Sequence, residues 1–61
     1  MKIKEARQEK KLSQEDVARK LNISLVSYCM KEKGRSKWKF EEAKNFCLLT
    51  ERRMDEIEDF Q

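Results

Sequence analysis

Apolar residues recur along this chain at helical spacing, with charged positions between them. Ile3 and Ala6, extended by the aliphatic stem of Lys10, line one face of a first helix over about Ile3–Lys10. Val17, Ala18 and Leu21 make the stripe of a second helix, and Phe40, Ala43, Phe46 and Cys47 that of a fourth. Met54, Ile57 and Phe60 then recur every third residue among Asp55, Glu56, Glu58 and Asp59, which predicts a fifth, short helix. With no proline and one glycine, little here favours strands or hairpins.

The boundaries between these stripes are marked chemically. Ser13 is placed to cap the second helix with its hydroxyl, and Asp16 at the third helical position completes a capping box. Leu12 before the cap and Val17 at the fourth position form a hydrophobic staple. The same grammar repeats after Leu21: Ser24 is the cap of a third helix, with Ile23 and Tyr28 as its staple. Asn22 lies between them, where a left-handed backbone turns the chain, and asparagine tolerates that conformation better than most residues. The third helix runs to about Lys33, and Gly34 supplies its left-handed terminus. Two capped helices joined by about three residues make a helix-turn-helix over residues 13–33.

Length and charge narrow the possibilities. Sixty-one residues form one domain, 1–61, and a chain this short buries only about 60% of its unfolded surface, so a partner or a second copy is expected. Residues 1–39 hold twelve Lys/Arg against five Asp/Glu, a balance of +7, whereas residues 40–61 carry −4. A basic front with an acidic back suits a protein that meets a polyanion on one side. No apolar run approaches the roughly 20 residues of a membrane span, and nothing resembles a secretory signal. Cys29 and Cys47, with no histidine in the chain, match neither a zinc pattern nor a disulfide framework, so no metal or other cofactor is expected and a reduced, cytoplasmic setting fits. No nucleophile–base pair and no glycine-rich phosphate loop point to an enzyme or a small-molecule substrate.

The stretch LSQEDVARKLNISLVSYCMKEKG, Leu12 to Gly34, resembles the Cro and CI repressor-like (XRE-type) helix-turn-helix family. Arg7, Leu12-Ser13-Gln14-Glu15, Val17-Ala18, Leu21, Ile23-Ser24 and Glu32-Lys33-Gly34 match its pattern in register, and a weaker likeness continues to the end. The resemblance implies an all-α, compact five-helix lambda-repressor-like domain from a bacterial or phage source, acting as a Cro-like transcriptional repressor on double-stranded DNA. It implies phosphate contacts from Gln14, Ser24, Lys33, Arg35, Lys37 and Lys39, base reading from Leu25, Val26, Ser27 and Met30, and a structural pair between Arg7 and Glu32. One face of the Met54, Ile57 and Phe60 stripe can close the monomer core; the corresponding end also makes a two-fold dimer contact in Cro-like relatives, so the resemblance implies a homodimer, at least on DNA, at a pseudo-palindromic operator.

Some positions depart from that pattern. Leu25, Val26 and Met30 cannot make the bidentate hydrogen bonds that discriminate guanine or adenine, but they can meet thymine methyl groups, so a T-rich half-site is expected. The alternative for such an apolar face is a protein partner, as in an antirepressor or antitoxin. Trp38 interrupts the basic run; it either lies against sugar-phosphate at the groove edge or, as a lone tryptophan in so small a domain favours, anchors the loop to the core. Lys31 falls on the core side of the third helix, where its stem is expected to lie along the core with its ammonium in water. Thr50 and Arg52 replace apolar residues, and Cys47 reads as a small buried thiol.

Overall fold

The computed structural model describes residues 1–61, in which four α-helices are followed by two single 3-10 turns. The helices are α1 (Ile3–Glu9), α2 (Gln14–Leu21), α3 (Leu25–Glu32) and α4 (Phe40–Thr50). The 3-10 turns are Met54–Glu56 and Glu58–Phe60, separated by Ile57 in an extended conformation. The expected fifth α-helix is therefore absent. The chain instead breaks at Ile57, whose extended backbone lets its side chain enter the core with Met54 and Phe60 packed beside it.

Acidic side chains mark three of the four α-helix starts. Glu5, Asp16 and Glu42, each at the third helical position, accept from the backbone N–H of Lys2, Ser13 and Lys39 at 2.8–2.9 Å. At α2 the box is reciprocal, since Ser13 Oγ accepts from Asp16 N at 3.0 Å, as the sequence predicts. Ser24 caps α3 by accepting from Ser27 N at 3.1 Å, but α3 alone has no acidic residue in its first turn.

All four helices end in the same device, a left-handed residue whose neighbours close back on the last turn. Lys11, Asn22, Gly34 and Glu51 take φ of 58°, 60°, 78° and 58°. After α3, Gly34 N donates to Lys31 O at 3.1 Å and Arg35 N to Met30 O at 2.9 Å. After α2, Asn22 N reaches Arg19 O and Ile23 N reaches Ala18 O, at 3.1 and 3.0 Å. Asparagine and glycine were expected in this role; a lysine and a glutamate were not.

Ile3, Ala6, Val17, Ala18, Leu21, Tyr28, Phe46, Cys47 and Ile57 form the core. Trp38 packs beside it at T-shaped angles to Tyr28, Phe46 and Phe60, with ring centroids 4.9–6.3 Å apart. It is the core anchor that its isolation in the basic run implies. Its buried indole N–H has no hydrogen-bond partner. Thr50 is buried by bonding its hydroxyl to Phe46 O at 2.8 Å, which leaves its methyl to pack.

Two stripe assignments change. Lys10 is exposed and its ammonium meets Glu51 at 2.5 Å; the third buried residue of α1 is Arg7. Phe40 is 74% exposed, because the first turn of α4 overhangs the end of the core that Ala43 and Phe46 fill.

Candidate nucleic-acid interface

At 100° per residue, Val26, Met30 and Lys33 share one stripe of α3, opposite the buried Tyr28 and Lys31. The short turn at Asn22 and the staple residue Ile23, packed on the core, set this stripe outward. Leu25 is 42% exposed, Val26 72% and Met30 38%, and Ser27 is exposed beside them. The four residues expected to read bases therefore lie on the solvent side of one helix.

The helix is locked from its inner side. Arg7, on α1, forks onto Glu32: Nε donates to Oε2 at 2.9 Å and an Nη to Oε1 at 3.3 Å. The other Nη donates to Leu12 O at 2.8 Å, at the entry to α2. Tyr28 Oη donates to Glu32 Oε2 at 2.6 Å, and Gln14 Nε2 to Oε1 at 3.0 Å. Both charged side chains are more than nine-tenths buried. Burial alone would raise the Glu32 carboxyl, but the hydrogen bonds from Arg7, Tyr28 and Gln14 outweigh it and hold the carboxyl below its usual value. The Tyr28 phenol moves upward, through burial and its bond to Glu32. The pairing of Arg7 with Glu32 expected from register is thus observed, as the centre of a wider cluster.

Lys31 is corrected. Its ammonium is not in water: the side chain is 8% exposed, Nζ donates to Lys37 O at 2.8 Å and it meets Glu42 Oε1 at 3.0 Å. Glu42 Oε1 also accepts from Lys39 N at the start of α4. One buried lysine thus ties α3, the loop carrying Arg35, Lys37 and Lys39, and α4 together. Nothing marks this clamp in the sequence beyond a lysine in core register and an acid at the third position of α4.

The basic side chains fall into two hollows that meet at Gly34. Arg35, Lys37 and Lys39 line a cleft of about 830 Å³ floored by Trp38. Lys33 and Gln14 line a second, of about 550 Å³, together with Lys2 and Lys4 of the α1 region. These two lysines extend the basic surface beyond the residues that the family pattern singles out; only the charge excess of the first 39 residues hints at them. Asp59 is at the edge of both hollows. Gln14 is part-committed, since one amide hydrogen serves Glu32 and its Oε1 accepts from the Cys29 thiol at 3.5 Å. The second amide hydrogen remains. Ser24 is exposed, its oxygen engaged as the cap.

The expected dimer residues lie elsewhere. Ile57 is fully buried in the core of this chain, and Met54 and Phe60 pack against it. Of the three, Ile57 is taken up by the core, while Met54 and Phe60 are half-buried and line the cleft beside Trp38. Cys47 is buried, and burial pushes its thiol upward.

No group of His, Cys, Asp or Glu side chains is arranged to hold a metal, and no helix is long and apolar enough to cross a membrane. No curated protein and no solved structure gives a match. Among protein families, residues 3–57 match the helix-turn-helix family. The match takes in the capped pair α2–α3, and the chain belongs to this family, of the XRE or Cro/CI type, whose members are DNA-binding domains and not enzymes.

Proposed function

We propose that this protein is a sequence-specific transcriptional regulator, a Cro-like repressor, that sets α3 in the major groove of its operator. The observation that carries this reading is the clamp at Lys31, which holds a loop with three exposed basic side chains directly behind an exposed helix face. Arg35, Lys37 and Lys39, with Lys33 and the free amide hydrogen of Gln14, grip phosphates and set register, while Leu25, Val26, Ser27 and Met30 meet base edges. The first turn of α3 carries no acid, so nothing there repels the backbone. Two copies on DNA place their α3 helices about 34 Å apart, on a pseudo-palindromic site, in the cytoplasm of a bacterium or of a phage-infected host.

The test is a titration with duplexes from a randomised pool and from the adjoining promoter, at rising salt. Four phosphate contacts per chain give a log–log slope of about −3.6, and each lysine or arginine changed to alanine removes about 0.9. Absence of binding at low salt refutes the reading. One observation favours a second: the outward face of α3 is apolar, as at a protein interface. If Val26→Ala spares DNA binding but abolishes a protein complex, that second reading replaces the first.

A further inference from the structure

The first two turns of α3 carry an unusual chemical inventory for a surface that reads bases. Leu25, Val26 and Met30 expose 42%, 72% and 38% of their surface. The carboxylate and the thiol nearby are engaged inside the molecule, and the free donors that remain, one amide hydrogen of Gln14 and the Lys33 ammonium, belong to the residues that grip phosphates. Glu32 is spent on Arg7, Tyr28 and Gln14, and the Cys29 thiol on Gln14. The Ser24 oxygen accepts from Ser27 N. What remains is three alkyl or thioether groups and the Ser27 hydroxyl, a single group that serves any base. Lys33 lies at the end of the helix, within the basic run.

A major groove offers such a surface one apolar feature, the methyl group at C5 of thymine. Cytosine methylated at C5 carries its methyl at the same ring position. The two bases differ at C4, an acceptor oxygen against a donor amine, and the one free polar group in the first two turns, the Ser27 hydroxyl, both donates and accepts and so does not distinguish them. We infer that α3 reads the C5-methyl group of a pyrimidine rather than the identity of the base, so that 5-methylcytosine replaces thymine in the operator and cytosine methylation strengthens binding. The adjacent Lys33, Arg35, Lys37 and Lys39 make the occupant of this face a polyanion with methyl groups in its groove, which is DNA rather than an apolar protein surface. This inference rests on the DNA-binding reading above.

The probe is a duplex selected from a randomised pool by the intact chain and resynthesised with single-base changes. Uracil pairs as thymine does and lacks only the methyl group. Each thymine→uracil change under α3 weakens binding about fourfold, the equivalent of about 0.8 kcal/mol for one buried methyl-sized group. Cytosine at the same position is weak, and 5-methylcytosine recovers about fourfold over it. In Val26→Ala with Met30→Ala, two exposed changes, the thymine/uracil ratio falls towards one. Lys37→Ala weakens both duplexes alike and keeps the ratio. Equal binding of thymine and uracil duplexes at every position overturns the inference while leaving DNA binding intact. Failure to bind any duplex at low salt overturns both.

Discussion

Arg7→Met removes one partner from the most enclosed charge cluster in the molecule. The Glu32 carboxylate keeps Tyr28 and Gln14 but loses its forked cation, and Leu12 O loses its donor. Breaking a buried ion pair from one side costs about 3–5 kcal/mol, because the remaining charge is left in a poorly solvated place. A 61-residue domain holds about 3–9 kcal/mol in all, at about 0.05–0.15 kcal/mol per residue. The single variant is therefore expected to lose a third or more of its stability. Urea unfolding followed by Trp38 fluorescence and far-UV circular dichroism measures this. With a slope of about 1 kcal/mol/M, the midpoint falls by about 3 M or more, or the transition vanishes. The decisive comparison is the triple variant Arg7→Met, Tyr28→Phe, Glu32→Leu, which removes the cluster without orphaning a charge. It returns to within about 2 kcal/mol of the parent, since apolar replacement of a whole buried pair is often neutral. A single variant within about 0.5 kcal/mol of the parent, or a triple variant no better than the single, refutes the account of α3 as held by this cluster.

Lys31→Met leaves Glu42 without its cation and Lys37 O without its donor, so it lowers the urea midpoint and weakens binding to all DNA sequences alike; an effect confined to one operator contradicts the clamp. Glu32 and Glu42 both have folded-state pKa values below the ordinary 4.5, which burial opposes and their hydrogen-bond donors bring about. Their stabilisation is therefore present above pH 4.5 and lost as pH falls through the folded values; unfolding midpoints at pH 7 and pH 3 show the loss, and Glu32→Gln reduces it. Lys11→Gly relieves a left-handed residue worth about 1–2 kcal/mol, against about 0.4–1 kcal/mol of added chain entropy in the unfolded state. A net gain of up to about 1.6 kcal/mol raises Tm by several degrees, at about 4–8 °C per kcal/mol in calorimetry, and a lower Tm refutes the strain.

Local signals at caps and turns were legible because they depend on neighbours within four residues. Ser13 with Asp16, Ser24, Asn22 and Gly34 stand where their chemistry dictates, and with the stripes of Val17, Ala18 and Leu21 they specify the α2–α3 unit and its outward face. The readings that failed depend on where the rest of the chain lies. Met54, Ile57 and Phe60 look like one face of a helix when read alone, and only the open side of the core decides that they turn inward as 3-10 turns. Lys31 looks amphipathic along the chain, yet six residues later Lys37 O, and then Glu42 on α4, close over its ammonium. Periodicity reports which residues share a side of an element. Whether that side meets water, core or an opposite charge is a property of long-range packing, and here packing made the difference between a surface lysine and the clamp that positions the basic loop.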